Sequence, residues 1–295
     1  TAPNYDGFPL DLYLSPEPVL PVQFSRGCYY KDCAFCALTL DHQNFRQRDP
    51  GKTVDDLEWL KARYGAQFFF FTDECFALSP TKRLCQQMID RQLNVKWTCE
   101  LRFEKNLSRE LLAQMREAGC LKIVFGLESF NQRVMDFMKK GIKQESVRRI
   151  VDDCVDLGIA VHCYIIVGFP TEKEEEALET LNFIVENRKL HESYGFSCQP
   201  CLFDLEKEAP IMNDPGSYGI RRIMRPSSED LSLGFFYEVQ EGMTPAQAEQ
   251  LYQHVYEKVS EVVCELPFNY SMADGLLYIA RAKSQAMQVP QPTGS

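Results

Sequence analysis

Five times along this chain, a short run of β-branched or aromatic residues precedes a segment whose apolar residues recur every three to four positions, and a sixth such run follows. Strand then helix, repeated, is the pattern of a parallel sheet wrapped by helices, and it excludes all-helical and sandwich folds. The expected strands are residues 19–24, 67–72, 96–101, 122–127, 159–167 and 194–199. The second carries four consecutive Phe, and a run apolar at every position is expected to be buried on both faces. Between them, a helix opening at Thr53 with Asp56 in the capping-box position presents Leu57, Leu60 and Tyr64 and closes at Gly65. Ser79 and Pro80 open the next, to about Gln92, and Ser108 opens a third that buries Leu111, Met115 and Ala118 and stops at Gly119. A fourth, with Val147, Ile150, Val151 and Cys154 on one face, ends at Gly158, and Thr171 with Glu174 caps a fifth that presents Leu178, Leu181 and Val185. Six strands are too few for the eight-stranded barrel. The expected fold is α/β: a partial (β/α)6 barrel with a C-terminal helical/mixed extension.

The rhythm breaks after Pro210. Residues 1–17 read as a lead-in, 18–210 as the partial barrel, 211–285 as the extension and 286–295 as a disordered tail. The extension is expected to hold a helix from Thr244 and Pro245 to about Cys264, and a further helical piece over 272–283.

Lys plus Arg is 32 and Asp plus Glu is 42, a formal charge of −10. Such a balance argues against binding nucleic acid or an anionic membrane, both of which need a basic face. The best apolar run, residues 159–169, is short and contains His162, so no membrane span is expected. No secretory signal is visible, and the expected compartment is the cytoplasm.

The chain has 12 Cys and only four His. Cys75, Cys99, Cys120, Cys154 and Cys163 occupy apolar positions and read as core. Cys28, Cys33 and Cys36 instead crowd one loop directly after the first strand. Three soft thiolates with gaps of four and two residues suit zinc, copper(I) or an iron–sulfur cluster. A zinc site would take His42 as fourth ligand. A four-iron cluster on three Cys keeps one iron open, which serves an enzyme.

On these residues the chain resembles the radical S-adenosylmethionine (radical SAM) superfamily. The family's usual spacing is three residues, then two; here the first gap has one more, with Cys33-Ala-Phe35-Cys36 intact. Later strand ends continue the resemblance, where ligands of open parallel sheets bind. The resemblance implies that Asp73 and Glu74 receive the amino group of S-adenosylmethionine and that Arg102 faces its carboxylate. It implies that Glu128 and Ser129 contact the ribose or methionine end, that Gly168 lets the backbone approach adenine, and that Phe35 joins the cofactor-binding set. Residues 6–21 and Tyr218-Gly-Ile220 look like the cobalamin-type branch. Cobalamin itself would enter only through a domain absent from this chain.

The resemblance implies a [4Fe-4S] cluster on Cys28, Cys33 and Cys36, S-adenosylmethionine as cosubstrate and a flavodoxin- or ferredoxin-like electron donor. The implied reaction is reductive cleavage to a 5′-deoxyadenosyl radical that abstracts hydrogen from a small-molecule or peptide substrate, with methyl transfer among the outcomes. A radical methylthiotransferase acting on transfer RNA fits the acidic balance poorly. A non-catalytic zinc-stabilised binding protein is the alternative from another class. Cys198 and Cys201 form a C-x-x-C pair that reads as buried thiols, or with Cys264 as ligands of a second cluster. Lys139, Lys140, Arg221, Arg222 and Arg225 read as a solvated basic face.

Overall fold

The computed structural model describes residues 2–13, 17–37, 44–187, 195–225 and 234–262. Six strands make the main sheet: β1 (Val19–Val22), β4 (Phe68–Phe71), β5 (Lys96–Leu101), β6 (Cys120–Glu128), β7 (Ala160–Val167) and β8 (Phe196–Leu202), hydrogen-bonded in that order. All five pairings are parallel. Among the described residues the sheet does not close on itself, so β1 and β8 are its edges there. A two-residue ribbon, β2 (Ser25–Arg26) with β3 (Arg46–Gln47), brackets the cysteine loop; nothing in so short a run of sequence marks it as strand.

Helices α1 (Pro50–Tyr64), α2 (Leu78–Asp90), α3 (Arg109–Glu117), α4 (Gln132–Phe137), α5 (Gln144–Asp156) and α6 (Glu174–Glu186) follow the strands. α1 begins three residues before the expected Thr53, because Asp49 accepts from the Lys52 amide and Pro50 supplies a ready-made first turn. α2 begins at Leu78 without a side-chain cap, one residue before the expected start. Ser108 caps α3 as expected. At α6 the cap is not Thr171: Glu176 reaches back to the Lys173 amide, and Thr171 lies in the left-handed region at φ 71°. α4, capped by Asn131, was too short for the apolar period to announce.

Alternate residues of the strands face opposite ways. Phe69, Phe71, Trp97, Cys99, Ile123, Phe125, Val161, Cys163, Phe196 and Cys198 face the helices and build the main core. Phe70, Thr98, Glu100, Lys122, His162, Tyr164, Ser197, Gln199 and Cys201 occupy the other, open face. Phe70 is therefore half-buried, and the expectation that its strand is buried on both faces fails there. Cys198 and Cys201 fall on opposite sides of β8, one buried and one exposed, so the C-x-x-C pair cannot chelate together. Cys264 lies outside the described residues.

Beyond the barrel strands, β9 (Leu205–Glu206), β10 (Ile220–Met224) and β11 (Gly234–Val239) form an antiparallel sheet in the order β10-β11-β9. α7 (Pro245–Val262) packs Ala248, Leu251, Val255 and Val259 into the main core over β8. The expected end of this helix and the piece over 272–283 lie outside the described residues, as does the tail. Among the described residues no helix is long and apolar enough to cross a membrane.

Candidate functional site

The cysteine loop leaves the sheet at the carboxyl end of β1, and two carboxylates from the end of β4 hold its first residues. Asp73 is 1% exposed and accepts from the Phe24 amide at 3.0 Å, from the Ser25 amide and from the Ser25 hydroxyl at 2.7 Å. Burial pushes its carboxyl up to about 6 against the pull of these donors. Glu74 accepts from the Gly27 amide at 2.9 Å, and Gly27 takes φ 82° there. The carboxylates expected to receive an ammonium group thus also anchor the loop that carries the thiols.

The middle of the loop is pinned from two sides. The Ala34 amide donates to the Met138 carbonyl at 2.9 Å, and the Ala34 carbonyl accepts from the Ile211 amide at 2.8 Å. Tyr30 hydrogen-bonds the Lys139 carbonyl at 2.8 Å, and Tyr29 bonds Glu104. The longer first gap is absorbed by a left-handed residue, Lys31 at φ 64°.

Arg102, at the end of β5, is buried beside the thiols. Its guanidinium lies 3.4 Å from the Tyr30 ring centroid, its Nη1 is 3.7 Å from Cys33 Sγ, and its Nη2 donates to the Lys140 carbonyl. Its Nε makes no hydrogen bond among the described residues and lies 3.7 Å from Glu104 Oε1, in ion-pair reach. Hydrogen bonding from the Cys75 thiol pulls Cys28 down to about 6, helped by the Tyr30 and Lys31 amides and by the Arg102 charge, against burial. A lowered thiol, a guanidinium beside Cys33 and amides turned inward make a thiolate-stabilising environment. Three Cys in this setting fit an anionic iron–sulfur cluster. Among the described residues no three His, Cys, Asp or Glu side chains converge on a single ion, and His42 lies outside them.

Glu128, in the left-handed region at φ 65°, pairs with Lys140 at 3.1 Å, both buried. Lys140 is thus no part of a solvated basic face; its ammonium also sits 5.5 Å from the Phe35 ring. Of that expected face, Arg221 does pair at the surface, with Glu238. A Cβ at Gly126 would fall 2.6 Å from Glu128 Oε1, so this glycine makes room for the pair. Ser129 and Gly168 make their contacts elsewhere. Ser129 shares its hydroxyl with Thr180 of α6 at 3.3 Å. Gly168, at φ 86°, is approached by α7: a Cβ there would fall 2.4 Å from that of Ala248.

Sequence reasoning missed three residues of this region. Cys75 is buried as expected, yet it bonds Cys28; its position next to Asp73-Glu74 was the available signal. Lys140 gave none, since only the folded chain brings it to Glu128. Glu100 stands on the open face, its carboxyl pushed up to about 7 by burial and then by Glu128, Glu74 and Asp73.

The turn after β7 is held by Glu172, 1% exposed, which accepts from the Gly168 amide at 2.7 Å. Burial pushes its carboxyl up to about 8, against an ordinary value of 4.5. The folded chain keeps a proton that the unfolded chain has lost, so this group's contribution is full below pH 4.5 and falls as pH rises toward 8. Glu172→Gln keeps the acceptor and removes the titration. We expect it to flatten the pH dependence of urea stability over that window and to add on the order of 2 kcal/mol at its alkaline end. Parallel slopes for both proteins would refute this.

A parallel sheet of six strands with a three-cysteine loop at its carboxyl edge defines a class of cluster-binding half-barrels. Residues 22–184 match the model of the Radical SAM superfamily, and the chain belongs to that family. It is 29% identical over 185 residues to an uncharacterised methyltransferase of Pyrococcus horikoshii, covering 61% of this chain and 40% of that protein. It is 32% identical over 160 residues to the anaerobic magnesium-protoporphyrin IX monomethyl ester cyclase of Rubrivivax gelatinosus, covering 53% and 29%. The chain thus spans less than half the length of these curated relatives. Its fold is similar to that of the radical S-adenosylmethionine methyltransferase TsrM of Kitasatospora setae, with TM-score 0.65 and 15% identity over 92% of this chain and 62% of that one. Membership implies a [4Fe-4S] cluster and S-adenosylmethionine as cofactors.

Proposed function

We propose that this chain is the catalytic half-barrel of a radical SAM enzyme that cleaves S-adenosylmethionine reductively and uses the resulting 5′-deoxyadenosyl radical to modify an unreactive carbon, with methyl transfer as the favoured outcome. The observation that carries the reading is the cysteine loop clamped by Asp73 and Glu74, with Arg102 against Cys33, at the carboxyl end of a parallel sheet. A four-iron cluster on Cys28, Cys33 and Cys36 would supply a free iron for the amino acid end of S-adenosylmethionine and the electron that splits its sulfonium.

The chain's own groups do the rest. Glu74 orients the loop through Gly27, and Arg102, whose guanidinium lies against Cys33, offers positive charge to a carboxylate there. The Glu128–Lys140 pair fixes the strand end beside Phe35. Methyl transfer is supported by the relatives' names. Assistance by cobalamin needs a binding unit beyond this half-barrel. The electron comes from a small reduced carrier of the flavodoxin or ferredoxin kind.

The test is anaerobic. The chain is reconstituted with iron and sulfide and given S-adenosylmethionine and dithionite, and 5′-deoxyadenosine is quantified. The expected result is product from the native chain and none from the Cys28/Cys33/Cys36→Ala protein. A colourless protein that holds zinc in place of iron and releases no product would overturn the reading.

A further inference from the structure

The open face of the sheet carries an unexplained polar floor. Thr98 on β5 is paired in register with Lys122 on β6, and His162 on β7 pairs with Val124, two residues further along β6. Thr98 and Lys122 therefore lie side by side on adjacent strands, with His162 diagonal to Lys122 and one step nearer the strand ends that carry the cysteine site.

Thr98 is 0% exposed, and its hydroxyl has no partner. Lys122 is also buried, and among the described residues no carboxylate lies within ion-pair reach of it. Burial alone pushes its ammonium down to about 8, which still leaves it charged at neutral pH. His162 shares Nδ1 with the Ser197 hydroxyl at 2.8 Å, while its Nε2 is shielded from solvent and unpaired. Of the four buried side-chain polar atoms without a partner among the described residues, two are in this cluster.

Two orphaned polar atoms beside an ammonium that has no counter-ion are costly, and a fold retains them together only where something else completes them. The Ser197 hydroxyl also lies 3.4 Å from the Val161 carbonyl. When its proton turns onto Nδ1 instead, Nε2 carries a hydrogen and becomes a donor. Lys122, Thr98 and His162 then present three donors and a single positive charge. That set matches one carboxylate; a phosphate dianion would bring more negative charge than Lys122 balances.

We propose that Thr98, Lys122 and His162 form a carboxylate-binding site on the floor of the open face, where the acid group of the substrate is held. Only the word substrate rests on the radical SAM function; the site stands on its own geometry. Arg102 lies four positions beyond Thr98, just past the end of β5, a rise of about 13 Å at strand spacing. An acid held on this floor therefore reaches the level of the cysteine site only if it is elongated. Phe70, half-buried and registered opposite Thr98, supplies an apolar wall for its body.

The experiment uses the full chain with ring-15N-labelled histidine, titrated with acetate in the absence of S-adenosylmethionine. His162 is identified as the imidazole that fails to titrate between about pH 5 and 8, because burial and then Lys122 hold it far below the ordinary value. Acetate is expected to shift this resonance saturably, while acetamide, and chloride at equal ionic strength, leave it in place. Lys122→Met should weaken the acetate response roughly tenfold or more. Thr98→Val should weaken it several-fold without loss of urea stability, since the replaced hydroxyl bonds nothing in the fold; this variant decides the matter if Lys122→Met does not fold. No saturable shift, an equal response to acetamide, or a native response in Thr98→Val would overturn the site. None of these outcomes touches release of 5′-deoxyadenosine, so failure of the site and failure of the enzymatic reading are distinguishable.

Discussion

Asp73→Ala is expected to remove about 3–5 kcal/mol of stability and to leave the folded remainder unable to retain iron. The variant strands three buried donors: the Phe24 amide, the Ser25 amide and the Ser25 hydroxyl. Each buried donor left unmade costs about 1–3 kcal/mol, partly recovered if water enters. The two amides lie three and two residues before Gly27, so freeing them loosens the whole cysteine loop at its entry. Asp73→Asn should fare only a little better, because its amide nitrogen would face donors. Urea unfolding measures the first effect, and iron per folded chain after reconstitution measures the second. A native iron content in Asp73→Ala would show that the loop is positioned without this carboxylate.

Gly119→Ala should produce a comparable or larger loss of stability with a different signature. Gly119 joins α3 to β6 at φ 101°, a region that L side chains rarely adopt. A Cβ there would fall 2.0 Å from the Val95 carbonyl oxygen, which is backbone and cannot step aside. Relief requires β5 and β6 to part where Trp97 donates to the Gly119 carbonyl at 3.2 Å. The expected cost is about 4 kcal/mol or more. The cysteine loop is untouched, so whatever fraction folds should still take up iron. Measuring iron per folded chain in both variants separates damage to the clamp from damage to the sheet. Thermal midpoints that barely move in Gly119→Ala would refute the steric account.

The main sheet was legible because its signals are local. Residues 96–101 match β5 in full, and the helix stops at Gly65, Gly119 and Gly158 follow from turn chemistry. The bunching of Cys28, Cys33 and Cys36 was likewise a feature of adjacent residues. What sequence could not supply was contact between distant positions. Lys140 sits in a run of exposed-looking basic residues, and only the approach of Glu128 makes it a buried ion. The strands β2 and β3 are two residues each, below the length at which alternation can be read, and β9 to β11 pair across loops with no periodic signal. The orientation of Phe70 depends on which face the helices leave open, and four identical residues in a row carry no information about that.

The clamp on the cysteine loop addresses main-chain groups at Phe24, Ser25 and Gly27, with a single side chain, the Ser25 hydroxyl, taking part. Every amino acid except proline offers the same N–H, so at Phe24 the clamp itself does not depend on which side chain the backbone carries. The burden of specificity is displaced onto Asp73 and Glu74 at the end of the neighbouring strand. A lineage of such proteins can therefore rewrite the side chains at the loop's entry while two acidic residues keep the cysteine loop in register.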